Sequence, residues 1–351
     1  MNSSWVLSEL QLRGFRCFER ARLEFGPGAT CIVGPNAQGK TTLLEAACVL
    51  LRLQSPRATT LGQTIRFGEA GFALEGVWSD LCCQYYYSAK RRKLVLDAVE
   101  QRRANEYLGL ARVVWFGNDD LDLIRGGSEG RRRYLDFAIA QMKPSHRAHL
   151  RTYEKALRSR NALLKSSASA REIMAYNGPL VQSGDLIRVA RREFIVAMTP
   201  LIAAANQKIG GAGPTLEARY KDGVGSAEMD FTEALAKSSN QENRLRQTVV
   251  GPHRDDLELT FDGRAASHFA SEGQQRTAAL ALRLGQAEIL GAGPTQSPLY
   301  LIDDIFGELD HVRRNRLLQC LPQSGQQIIT TTHLDWAGDY PARVMEIKNI
   351  R

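Results

Sequence analysis

The chain has 351 residues, 43% of them hydrophobic, so length allows one large domain or two to three ordinary ones and core size sets no constraint. The formal charge of +8 and a pI near 9.3 favour a polyanionic partner, nucleic acid before membrane. The six cysteines lack ligand or pairing patterns, the start MNSSWVLSELQLRGF lacks a leader pattern, and no apolar run has the length of a membrane span, so a reduced, cytoplasmic protein is expected.

Residues Val6 to Phe25 hold two strand-like pieces, LSELQLRGF and ERARLEFG, with partial apolar alternation. Arg13, Arg16 and Arg22 lie close in sequence to a glycine-rich loop. They read either as a solvated sheet edge or as contacts to ATP or DNA. Gly26-Pro27-Gly28 is a turn into a short β-branched strand, Thr30 to Val33. Gly34, Gly39, Lys40 and Thr41 then fit G-x-x-x-x-G-K-[ST], and from Thr42 the pattern turns helical, with Leu43, Leu44, Ala47, Leu50 and Leu51 on one broad face. In that strand–loop–helix setting, glycines let successive N–H groups point into one concavity, and the helix N-terminus adds partial positive charge. Lys40 is placed to reach the β- and γ-phosphates of a nucleotide, and the Thr41 hydroxyl to ligate magnesium.

Beyond the helix, SPRATT and the residues on to Trp78 mix turns with short strands, with Arg57 and Arg66 as candidate phosphate contacts. Tyr85-Tyr86-Tyr87 and the run Lys90-Arg91-Arg92-Lys93 read either as a grip on a nucleic-acid backbone or as the solvated face of a strand pair. In VVWFGNDDLDLIRGGSEGRRRYLDFAI, a strand leads to an acidic turn, and Ser128 is expected to N-cap a helix starting at Glu129. Arg131, Arg132 and Arg133 near that N-terminus oppose the helix macrodipole, which calls for an anionic partner, DNA phosphate or an acidic protein surface. Pro144 to about Ala205 reads as helices with a loop at SSASA, without a sustained heptad pattern. Gly210 to Pro214 is a joint, and strand, loop and a short helix continue to about Arg246.

Three motifs close the chain. SEGQQ opens a long helix capped by Ser271, with Gly273 allowing close approach of a ligand. LYLIDDIFGELD is an apolar strand ending in paired acids, with Asp303 suited to a magnesium shell and Asp304 to polarising an attacking water. IITTTHL ends a β-branched strand at His333, either a γ-phosphate sensor or a plain structural histidine.

In this order the motifs resemble an α/β fold, an ABC-type phosphate-loop ATPase head with an inserted, mainly helical second lobe, the class of SMC, Rad50 and RecF proteins. Within it, LLEAACVLL, SPRATT, LIRGGSEGRRRYLD, GPHRDDLEL, FASEGQQRTAALAL and LIDDIFGELD resemble the RecF family along nearly the whole chain. The resemblance implies that Gly34, Pro35, Asn36, Ala37, Gln38, Gly39, Lys40, Thr41 and Thr42 bind ATP, with Thr41 and Asp303 as magnesium ligands. It implies that Ser271, Gly273 and Gln274 contact ATP held by a second protomer, and that Asp310 bridges the dimer. Lys40, Asp304 and His333 would then be the catalytic residues. Residues 1–125 and 248–351 are expected to form the ATPase lobe and 126–247 the inserted lobe.

Two residues depart from the family pattern. Ala37 stands where glycine is usual, which is tolerable if its φ is negative. Glu272 stands where glutamine is usual and brings an anion near the γ-phosphate's approach. The implied activity is a weak DNA-dependent ATPase that dimerises on ATP. It would clamp single- and double-stranded DNA at gaps and help RecO and RecR load RecA in replication, repair and the SOS response to DNA damage. A Rad50-like head of a nuclease complex would need long coiled coils between Lys40 and Ser271, where only a compact lobe fits. A transporter subunit gives GPHRDD and GRRRYLD no role. A DNA-binding module with a vestigial nucleotide site is opposed by intact Lys40, Asp303 and Asp304.

Overall fold

The computed structural model describes residues 5–225, 229–292, 297–322, 324–338 and 340–349, so the first four residues of MNSSWVLSELQLRGF lie outside the described residues. The chain forms two compact units. The first comprises residues 1–120, 208–211 and 282–351, and the second 121–207 and 212–281.

In the first unit, a five-stranded parallel sheet runs in the order Ala342–Glu346, Ala29–Val33, Gln327–Thr331, Leu299–Asp303, Val113–Gly117. Its inner strands, ATCIV, QIITT and LYLID, are buried at nearly every position, as expected where a parallel sheet is covered on both faces. A six-stranded antiparallel sheet takes in Leu7–Phe15, Phe18–Glu24, Gly71–Trp78, Leu81–Ser88, Arg92–Leu96 and Val99–Glu100. The helix Lys40–Arg52 packs against strands of both sheets. Every residue of it except Thr41 is buried, rather than one broad face. A helix apolar nearly all round is a core helix. Leu43, Leu44, Val49, Leu50 and Leu51 are each at most 1% exposed, and each such burial stabilises by about 1.5–3 kcal/mol. Its one buried acid, Glu45, accepts both Nε and Nη2 of Arg16 at 2.9 and 2.8 Å and the Ser55 hydroxyl at 2.6 Å. Arg16 is thereby tied to the core and is not a free contact for ATP or DNA.

The second unit is mainly helical. It holds Ser128–Met142, His146–Lys165, most of Asn177–Gly210, Phe231–Leu245 and a three-stranded sheet in the order Arg264–Ala265, Asp256–Phe261, Leu216–Lys221. Tyr153, Leu180, Ile187, Phe231 and Leu235 form its core. The strand Asp256–Phe261 pairs with Leu216–Lys221, so residues 248–281, expected with the ATPase lobe, group with the helical unit. Antiparallel pairing across that interval leaves no mark in sequence periodicity.

Ser128 is the first residue of its helix and not the cap. Gly127 holds the cap position in extended conformation, and the Ser128 hydroxyl accepts from Arg132 Nη1 at 2.7 Å. The anionic partner of Arg131 lies in the same unit. Asp256 accepts its Nε and Nη2 at 2.7 and 2.9 Å, while Arg132 donates to the Asp255 carbonyl at 2.7 Å.

Candidate nucleotide site

The site in the first unit follows from sheet register. Val33 pairs with Thr331 and Asp303 with Thr330, so the parallel strands release Gly34, Asp304 and Thr332 at one end. In open α/β sheets, ligands bind beyond the carboxyl ends of the strands. The Gly34 N–H donates to the Thr331 carbonyl at 3.2 Å and anchors the loop to the strand that leads to His333. Gly39 caps the adjoining helix at φ +91°, and a Cβ there would lie 2.6 Å from the Phe18 ring. Only glycine meets both conditions.

The Thr41 hydroxyl donates to Asp303 Oδ1 at 2.7 Å across 262 residues of chain, and the Thr330 hydroxyl donates to the same oxygen at 2.8 Å. Lys40 Nζ donates to the loop carbonyls of Gly34 and Pro35 at 2.5 and 2.8 Å. Cys17, Asn36, Ala37, Gly39, Lys40, Thr41, Thr42, Asp303 and Asp304 line an open cavity of ≈ 250 Å³. That is below the ~300–1,000 Å³ of ordinary small-molecule pockets and suits a phosphate chain rather than a whole nucleotide. Burial raises the pKa of both Asp303 and Asp304, against the pull of hydroxyl donors on Asp303 and of the Lys40 charge on Asp304. Burial lowers the Lys40 pKa, and the two aspartates oppose that shift. A hydroxyl and a carboxylate side by side are the hard oxygen donors that magnesium prefers, so the residues fit that ion.

Asp304 sits at φ +49°, in the left-handed region that aspartate tolerates better than most residues. Its N–H donates to the Thr330 carbonyl at 3.1 Å. Ala37 sits at φ +63°, contrary to the negative φ that would make alanine harmless. The backbone there keeps the conformation that glycine takes without penalty, and alanine is strained by roughly 1 kcal/mol. His333 is half-exposed, lies 3.4 Å from Asp335 and acts electrostatically on Asp304. Asp310 caps His311–Cys320 through the Arg313 N–H at 2.9 Å, which holds its pKa below the usual carboxylate range.

In the second unit, Ser271 caps its helix as expected. Its hydroxyl accepts from the Gln274 N–H at 3.3 Å, and the Gln274 side chain accepts from the Ser271 N–H at 2.8 Å. Glu272 is compensated by Arg276 at 3.0 Å and Arg125 at 3.9 Å. GPHRDD turns out to be a fold element. Asp255 is fully buried and accepts from Arg191 at 2.7 Å, Tyr220 at 2.5 Å and the Gly223 N–H at 2.8 Å. His253 bonds the Tyr153 hydroxyl and the Thr248 carbonyl, and burial pushes its pKa down to about 4.

Sequence reasoning missed Cys17 in the cavity lining and Thr330 beside Asp303. The run of three threonines before His333 was the available signal for the second. Arg57, a candidate phosphate contact, is half-exposed, 3.9 Å from Asp119, and its charge acts on Asp303. Arg66 pairs loosely with Glu19 at 3.9 Å, and Arg22 with Glu9 at 3.1 Å.

Comparison with known proteins bears on the whole chain. The AAA domain family matches residues 9–102. A DNA replication and repair protein RecF from Synechococcus sp. (strain JA-2-3B'a(2-13)) is 36% identical over 348 residues, covering 93% of this chain and 91% of that one. RecF of Bacillus thuringiensis (strain Al Hakam) is 34% identical over 346 residues, covering 94% and 92%. A solved structure of the recombination mediator protein RecF with ATP, in the RecFOR pathway, covers 100% of this chain and 98% of its own, at TM-score 0.89 and 26% identity. An Smc head domain from Pyrococcus furiosus shares the fold at TM-score 0.53 and 16% identity, covering 95% and 91%. With such identity over nearly the full length of both chains, the protein belongs to the RecF family of DNA replication and repair proteins, phosphate-loop ATPases by fold.

Proposed function

We propose that the protein is an ATP-switched DNA clamp of recombinational repair and replication-fork maintenance. The observation that carries this reading is the meeting of Lys40, Thr41, Asp303 and Asp304 around one cavity, with Thr41 and Asp303 joined at 2.7 Å. The loop from Gly34 to Thr42 and the Lys40 ammonium would hold the phosphate chain of ATP. Thr41 and Asp303 would hold magnesium, which when bound neutralises phosphate charge. Asp304 would orient a water and take its proton. The water oxygen then bonds to the γ-phosphorus while the bond to the departing ADP oxygen breaks. His333 would sense the γ-phosphate from the neighbouring strand end.

On the family pattern, Ser271, Gly273 and Gln274 of one protomer face ATP held by the other, and Asp310 bridges the two. The closed dimer holds single- and double-stranded DNA at gap junctions, and slow hydrolysis releases it. Phosphate contacts dominate, so binding is salt-sensitive and independent of sequence. Membership of the RecF family, and the RecFOR setting of its structural neighbour, support RecO and RecR as partners in loading RecA in the cytoplasm.

Sedimentation velocity of wild type and Asp304→Asn, with and without ATP, magnesium and a gapped duplex, tests the reading. It stands if ATP drives dimerisation, Asp304→Asn locks the dimer, and only the dimer holds DNA tightly. Two monomeric proteins that bind DNA equally without ATP would overturn it.

A further inference from the structure

The aromatic and basic run after residue 85 is sorted by the antiparallel sheet of the first unit. Of the three tyrosines, Tyr85 and Tyr87 face the core, and Tyr86 faces out, 39% exposed. Arg92 lies over the Tyr87 ring at 5.1 Å, while Lys93 pairs directly with Tyr86. Register extends that pair into one row across five strands. Arg20 pairs with Arg13, Arg13 with Ala73, Ala73 with Tyr86, and Tyr86 with Lys93. With strands about 4.8 Å apart, the row spans roughly 19 Å.

Two features set this row apart from its neighbour. One rung away, Arg22 is bonded to Glu9, and Gln84 to Glu75, so charge is settled within the sheet. In the Arg13 row, none of the three cations has an ion pair or hydrogen-bonding side-chain partner among the described residues. Arg13 and Arg20 also stand directly opposite each other, an arrangement that destabilises a strand pair. The fold carries that repulsion on an exposed face, where an external anion would remove it. Ala73, which stands between the paired arginines and the tyrosine, adds only a methyl group to the row.

We propose that this row seats single-stranded DNA, with phosphates on Arg13, Arg20 and Lys93 and a base stacked on Tyr86. An exposed ring with Lys93 beside it on one strand and Arg13 beyond Ala73 on the other side matches the face of an unpaired base, which a duplex keeps in its stack. The proposal rests on the DNA-binding reading above and gives it a surface.

The test is fluorescence anisotropy of the full chain with a fluorescein-labelled oligothymidylate and with a duplex of equal length, across a salt series. Removing a cation in Arg13→Ser or Lys93→Ser lowers the salt slope by about 0.7 for the single strand. Tyr86→Ala weakens single-strand binding by about tenfold. It leaves duplex binding within about a factor of two, as expected where stacking on an unpaired base is what is lost. Arg13→Lys and Tyr86→Phe restore binding, which separates lost contacts from lost folding. Wild-type affinity and slope in every variant would overturn the surface while leaving DNA binding intact. An equal loss on duplex in Tyr86→Ala would overturn the single-strand assignment. A wild-type protein that binds neither DNA would remove the DNA reading itself, and this proposal with it.

Discussion

Two charged clusters stand out in the molecule, and they differ in where their bonds end. Around Asp255 in the second unit, the carboxylate, the Arg191 guanidinium and the Tyr220 hydroxyl satisfy one another in a buried network. Around Asp303 in the first unit, two hydroxyls share one carboxylate oxygen, and Lys40, Asp304 and the loop line an open cavity. Both stretches, GPHRDD and LIDD, were conspicuous in sequence. The difference teaches that a conspicuous charged motif is a candidate ligand site when it lines a cavity, and a fold element when its charges close on each other.

Substitutions sharpen that contrast. The largest effect is expected of Asp304→Asn, which removes the proposed base and lowers ATP turnover by about 10²–10⁴-fold with ATP binding retained. Turnover within a few-fold of wild type would place the base elsewhere. Next is Asp255→Ala, which leaves Arg191 short of a buried partner and destabilises by about 3–5 kcal/mol in denaturant melts. A loss below about 1 kcal/mol would break the comparison by showing the network dispensable.

The third prediction concerns pH. Burial raises the folded pKa of Asp303 and Asp304 above the ordinary aspartate value, so their contribution to stability is fully present below that value and is lost as pH rises through the raised one. Magnesium needs the ionised form, so magnesium-dependent nucleotide binding should fail on acidification at a higher pH than an ordinary aspartate would give. Titrating binding against pH checks it, and a midpoint at the ordinary value would contradict it. The smallest effect is expected of Ala37→Gly, which relieves a positive φ and stabilises by about 0.5–1 kcal/mol, read from the melting midpoint. A loss of stability would show that the loop does not strain its alanine.

The site was legible where chemistry and chain order coincide. Gly34 to Thr41, and the Asp303 and Asp304 pair, announce themselves because a phosphate loop needs strand before and helix after, and paired acids need an apolar strand to present them. What sequence could not show was the other end of each contact. Arg131 meets Asp256 across 125 residues, and Arg16 meets Glu45 inside a helix that reads as amphipathic until two sheets enclose it. The positive φ of Ala37 belongs to the loop's backbone path, which residue identity alone leaves open. The outward row through Arg13 and Tyr86 appears only once strand register is known.

The most direct test of the central claim is ATP binding measured by calorimetry with and without magnesium, in wild type and Asp303→Asn. Asparagine can still accept from Thr41 and Thr330, so the fold is preserved while the metal-binding charge is lost. The account predicts that magnesium tightens binding in wild type and leaves the variant unchanged. Equal tightening in both proteins would show that Asp303 does not hold the ion.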